Sequence, residues 1–155
     1  MDGGCACGSV RYRMTDAPLI VHCCHCTWCQ RETGSAFAVN ALIERRALEV
    51  TGETAPVTLP SYSGKGQVVH RCPFCGTAVW SHYAGSGEAV AFVRAGTLDM
   101  PEGAPPDVHI YTTGKLDWVT LPPGAPAYAE YYDRAEVWPD AARDRLRAAR
   151  ASAAP

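Results

Sequence analysis

The stretch HCCHCTWCQ, His22 to Gln30, holds four cysteines and two histidines within nine residues. Thiols and imidazoles so closely spaced bind a soft metal, act as nucleophiles or exchange disulfides. Spacing alone leaves open which thiols act together. Cys23 with Cys26 and Cys26 with Cys29 each form a C-x-x-C, while Cys24 with Cys26 forms a C-x-C. The other four of the eight cysteines fall in two close pairs, Cys5 with Cys7 and Cys72 with Cys75.

Compartment bears on how these thiols are read. The N-terminus, MDGGCACGSV, has neither a basic segment nor an apolar one, so a cytoplasmic, reducing location is the expectation. No apolar run approaches the roughly 18–20 residues that cross a bilayer. In a reducing compartment clustered cysteine pairs are metal ligands or catalytic thiols rather than disulfides, and zinc is the economical metal.

Cys5-x-Cys7 and Cys72-x-x-Cys75 are each short enough to place two sulfurs on one ion. Together they make the closed four-thiolate set of a structural zinc. CPFCG has the form of a zinc knuckle, with Gly76 available for a positive φ in its turn. Such an ion would pin the N-terminal strand to a hairpin some 65 residues away, and chelation would then contribute to folding. With those four assigned, His22–Gln30 stands alone. Three protein ligands and one exchangeable position are the pattern of catalytic zinc, and the string Cys24-His25-Cys26-Thr27-Trp28-Cys29 can wrap three sulfurs around one ion.

The elements that must position these groups read as mostly strands. In GSVRYRM (8–14), Val10, Tyr12 and Met14 alternate with Ser9, Arg11 and Arg13, the mark of a half-buried strand. Segments 37–43, 67–71, 77–83, 88–96 and 108–113 are also short and rich in β-branched and aromatic residues. The Pro-rich runs 100–106 and 121–126 are loops, because clustered prolines cannot feed a sheet ladder. A short helical turn over CTWCQRET stops at Gly34. The tail, with Pro139 suited to a first helical turn, is expected to be a surface helix fraying into disorder. The chain thus divides into one domain, 1–135, and an Ala/Arg-rich tail, 136–155, helical or disordered. At 155 residues, with 47% hydrophobic and 19% charged residues, it can bury a true core. A net charge of −2 gives no electrostatic reason to expect nucleic acid or an anionic membrane.

Taken in order, GGCACGSVRY, CHCTWCQRETGSAF and RCPFCGTAVW resemble the glutathione-dependent formaldehyde-activating enzyme (GFA) family, which includes centromere protein V. HIYTTGKLDW, with His109, Lys115 and Trp118, resembles the family's C-terminal segment, so the likeness spans roughly residues 3–132. The resemblance implies a mainly β, Mss4-like fold of zinc-stabilised sheets with a short C-terminal helix. It implies two zinc ions per chain, a structural one on Cys5, Cys7, Cys72 and Cys75 and an open, catalytic one on Cys24, Cys26 and Cys29. It also implies a carbon–sulfur lyase-type reaction of the S-(hydroxymethyl)glutathione synthase kind, with a glutathione-like thiol and a small aldehyde such as formaldehyde as substrates. Cys23 is then the extra thiol, read as a small buried hydrophobe at a strand end, with substitution for Cys24 as a ligand or reversible oxidation beside the site as the alternatives. His22 and His25 are read as supporting the ligands or facing solvent, since adjacent side chains cannot all point inward.

Three thiolates around Zn²⁺ carry one net negative charge, which makes bound water a poor nucleophile and favours thiol binding over hydrolysis. Arg31, Lys65 and Arg71 are candidates to grip substrate carboxylates, set against the ordinary surface role of such residues. Two other classes compete. One is a non-catalytic zinc module for a protein partner, to which an inaccessible fourth zinc position would point. The other is a methionine-sulfoxide reductase, which needs a late catalytic cysteine, and no cysteine follows Cys75.

Overall fold

The computed structural model describes residues 1–152. Along the chain the strands are β1 (Asp2–Gly4), β2 (Arg11–Met14), β3 (Ile20–Cys24), β4 (Ala38–Glu44), β5 (Leu48–Thr51), β6 (Ala55–Leu59), β7 (Gln67–Arg71), β8 (Ala78–Tyr83), β9 (Val90–Arg94) and β10 (Val108–Ile110). The α-helices are α1 (Thr27–Thr33), α2 (Arg134–Val137) and α3 (Asp140–Ser152). A small antiparallel sheet has the order β1-β2-β5, and a seven-stranded sheet the order β10-β3-β4-β9-β8-β7-β6. All pairings are antiparallel except β10 with β3. This is the mainly β, Mss4-like architecture expected from the sequence, completed by short C-terminal helices. No helix of the described residues is long and apolar enough to cross a membrane.

The alternation around β2 is realised: Val10, Tyr12 and Met14 are buried, and Arg11 and Arg13 are exposed. Four strands lie outside the segments with strand periodicity, and each has a physical reason. β3, IVHCC, is buried at every position because it lies between β4 and β10 and is covered on both faces. β6 carries Pro56, which is tolerated because β6 is the edge strand. β1 is only three residues, two of them glycine, and β5, LEVT, is a short strand that completes the small sheet.

Two apolar clusters fill the interior. One gathers Val10, Tyr12 and Met14 of the small sheet with Ile43, Val79 and Val93 of the large one. The other surrounds Cys24, Cys26 and Cys29 and takes in Trp138, Ala142 and Leu146 from the C-terminus. The tail therefore docks rather than standing off in solvent. Ala142, Leu146 and Ala149 recur at helical spacing, and small alanines let the helix approach closely. The fully buried Glu44 of β4 anchors it through two bonds from Arg145, Nε at 2.8 Å and Nη2 at 2.6 Å. Residues 153–155 of the tail lie outside the described residues.

Candidate metal centres and pocket

Cys5 and Cys7 follow β1, and Cys72 and Cys75 sit in the tight turn between β7 and β8. That turn closes through Cys72 N–H to Thr77 O at 2.9 Å and Gly76 N–H to Cys72 O at 3.0 Å. Gly76 takes φ +72°, a value that favours glycine there. The four sulfurs all lie within 4.8 Å of one another. Cys5 and Cys7 are 3.5 Å apart and Cys7 and Cys72 3.7 Å. A tetrahedral ion with Zn–S of ~2.3 Å requires sulfur separations of about 3.8 Å, so the set fits zinc closely. Val10 N–H donates to Cys5 Sγ, and the Thr77 hydroxyl lies 3.2 Å from Cys75 Sγ. Hydrogen bonding from Thr77, by its hydroxyl and then its backbone, draws the Cys75 thiol down to about 5.

The second cluster is built where β3 runs into α1. Cys24 ends the strand, Cys26 caps the helix and Cys29 lies in its first turn, all three buried. Cys29 N–H donates to Cys26 Sγ at 3.3 Å, and Cys24 and Cys26 sulfurs are 3.5 Å apart. Thiol hydrogen bonds from Cys24 and Cys29, then the N–H groups of Cys29 and Trp28, hold Cys26 down to about 3. Sharing with Cys26 pushes Cys24 up. The triad therefore favours a thiolate centred on Cys26, and its spacing suits a soft ion with one position left over. Gly34 closes α1 at φ +63°, as its place in the sequence suggests.

Gln30 braces the connecting loop. Its Nε2 donates to His25 O at 2.8 Å and to Gly114 O at 2.7 Å. A Cβ on Gly114 would fall 2.9 Å from His25 O, so this approach needs glycine.

Cys23 points to the other face of β3 and takes no part in the triad. Burial raises its thiol to about 12, which keeps it protonated and inert. Its neighbours there are His25 and His109, whose Nε2 and Nδ1 are 3.0 Å apart. These three form a further group with ligand atoms in mutual reach. The ring-centroid separation of 5.3 Å is that of a straight N–H···N bond between two imidazoles. One nitrogen then carries the proton and the other turns its lone pair to it, so the pair is a hydrogen bond. Neither His22 nor His25 faces solvent: both are buried.

A cavity of about 240 Å³ opens over Cys24, Cys26 and Cys29. Its walls include Tyr83, Phe92, Tyr111 and Tyr131, and its lining contains no carboxylate. Two cations, Lys65 and Arg134, do line it, and neither is in an ion pair among the described residues. Of the sequence candidates for gripping an anion, Lys65 alone lies here. Arg71 is paired with Glu32, and Arg31 is exposed on α1 away from the cavity. Arg134 had no sequence signal, because α2 reaches the cavity only through the tertiary docking of the C-terminus. Lys115 is tied to the carbonyls of Leu116 and Val119, and Trp118 is exposed.

A Halomonas elongata protein, provisionally named a glutathione-dependent formaldehyde-activating enzyme, is 29% identical over 129 residues, 78% of this chain and 80% of that one. A crystal structure of a Rhodobacter sphaeroides protein superposes with TM-score 0.49 at 20% identity, covering 64% of this chain and 88% of that one. The family profile described as glutathione-dependent formaldehyde-activating enzyme (GFA) matches residues 1–114, which contain all eight cysteines and most of the β-sheet framework. The chain belongs to the GFA family.

Proposed function

We propose that the protein is a zinc-dependent carbon–sulfur lyase-type enzyme that joins a small anionic thiol, glutathione first, to a small aldehyde such as formaldehyde. Two zinc ions per chain are assigned: a structural one on Cys5, Cys7, Cys72 and Cys75, and a catalytic one on Cys24, Cys26 and Cys29. The carrying observation is the coincidence of a three-thiol set with a cavity whose lining has two cations, unpaired among the described residues, and no carboxylate. Zinc held by Cys24, Cys26 and Cys29 would bind a substrate sulfur and favour its thiolate at neutral pH.

The chain's own residues supply the rest. Lys65 and Arg134 receive the carboxylates of the thiol and orient it. The aromatic walls exclude water, so the aldehyde meets sulfur rather than hydroxide. The sulfur lone pair adds to the carbonyl carbon, the C=O π pair moves to oxygen, and the proton given up by the thiol ends on that oxygen. The product is an S-hydroxymethyl thiol, and the site contributes proximity and orientation. The cytoplasm, rich in such thiols, is the proposed location.

The test is formation of S-hydroxymethylglutathione from ¹³C-formaldehyde, followed by exchange NMR with glutathione and with cysteamine, which lacks carboxylates. The expected result is acceleration with glutathione, a KM for cysteamine at least tenfold higher, and loss of that preference in Lys65→Glu/Arg134→Glu. No acceleration with either thiol would overturn the proposal.

A further inference from the structure

His22 and Cys24 lie two residues apart on β3, so their side chains share one face, about 7 Å apart along the strand. Both line the cavity. His22 Nε2 is 2.5 Å from the Tyr132 hydroxyl, and Trp138 Nε1 is 2.7 Å from that same oxygen. The indole N–H can only donate, so the Tyr132 oxygen accepts from Trp138. Its single proton is then available to His22, whose Nε2 lies 2.5 Å away. With His22 Nε2 as the acceptor of that proton, the ring proton sits on Nδ1. Nδ1 makes no hydrogen bond within the described residues. The rings of Tyr131 and Tyr132 meet His22 edge-on at 5.9 Å and 5.6 Å, fixing its plane.

We propose that His22 is a catalytic residue of the reaction proposed above, its Nδ1–H donating a hydrogen bond to the aldehyde oxygen as sulfur adds to the carbon. Tyr132 and Trp138 are positioning residues that lock the tautomer. As the C=O π pair moves onto oxygen, negative charge develops there. A donor already aimed at it, on a side chain that is itself buried, stabilises that charge without rearrangement. His22 gives up no proton. The oxygen takes the proton that the thiol lost, so the ring is unchanged at the end of the cycle. The assignment rests on the thiol–aldehyde reading of the site, and it adds the group that handles the oxygen, which neither the cysteines nor the two cations supply.

The test combines kinetics with long-range ¹H–¹⁵N NMR of the zinc-loaded protein. His22 is expected to show an Nδ1-protonated imidazole, and Tyr132→Phe, which keeps the ring packing, is expected to lose that single tautomer. His22→Leu should lower kcat about 100-fold with the KM for glutathione and the zinc content unchanged. His22→Asn, whose amide N–H overlays Nδ1–H, should stay within about tenfold of wild type. S-hydroxymethylglutathione should shift the His22 Hδ1 resonance, and glutathione alone should not. An Nε2-protonated His22, or wild-type kcat in His22→Leu alongside normal glutathione binding, overturns this role and leaves the proposed function standing. Failure of glutathione to bind and of any adduct to form overturns the proposed function, and the role of His22 with it.

Discussion

Arg94 of β9 and Asn40 of β4 face each other across the sheet, and the guanidinium donates to Asn40 Oδ1 in a buried position. No carboxylate pairs with Arg94 among the described residues. A buried guanidinium without a carboxylate needs another counter-charge. A metal-bound thiolate at Cys29 would be that charge: sharing with Cys24 and the Arg94 charge lower this thiol, while Cys26 and burial leave it raised to about 12. Three thiolates around a divalent ion would leave one net negative charge, which this cation would offset.

Arg94→Met is accordingly expected to weaken zinc at Cys24, Cys26 and Cys29 by about tenfold or more, through the higher pKa of the ligand thiols. The four-cysteine site, on other strands, should keep its affinity. Competition with a chelator, read as two separate release steps, measures both. Equal weakening of the two sites would show that Arg94 serves the fold as a whole.

The two clusters also differ in what they do for the fold. Cys5, Cys7, Cys72 and Cys75 join β1 to the β7–β8 turn, so Cys75→Ala is expected to give unfolded or insoluble protein. Cys26→Ser should lose one zinc and still melt cooperatively, because β3, α1 and Gln30 hold the triad's loop independently. A soluble Cys75→Ala variant with its full zinc content, or a Cys26→Ser variant that unfolds as badly, would contradict the division into structural and catalytic sites.

Much of this was legible before the fold was known. Close cysteine pairs are a local signal, and metal geometry limits how they combine, so both cysteine groups that the fold brings together could be read from spacing and resemblance. The alternation through Val10, Tyr12 and Met14 marked β2 for the same reason of locality. β3 was hidden because burial on both faces erases alternation. Arg134 and Tyr132 were hidden because the first comes to the cavity and the second to His22 through docking of a segment distant in sequence. The tail helix was underrated because its contact surface is alanine, which looks poor in hydrophobicity but packs closely, and because its anchor is an ion pair with a buried glutamate.

That anchor gives a pH-dependent prediction. Burial alone would raise Glu44, but the Arg145 guanidinium and the residue's own backbone N–H hold it below its ordinary 4.5. A depressed carboxylate stabilises the fold above the unfolded-state pKa, and that contribution is lost as pH falls through the folded-state value. Arg145→Ala leaves a buried carboxylate unpaired and should cost about 3 kcal/mol at pH 7. Urea midpoints of the two proteins should converge as the pH drops below 4.5. A constant gap from pH 7 to pH 3 would show that Arg145 acts by packing alone.

The claim on which the rest depends is that a substrate sulfur joins the metal held by Cys24, Cys26 and Cys29. Cobalt in place of zinc reports each added thiolate as a change in the sulfur-to-metal charge-transfer band, and a pH indicator reports the proton released when a thiol becomes a thiolate. Glutathione is expected to change the band and release about one proton per chain, while S-methylglutathione, which cannot form a thiolate, should do neither at the same concentration. A cobalt spectrum indifferent to glutathione, or equal binding of the two compounds, would contradict the account and point instead to a zinc module that binds a protein partner.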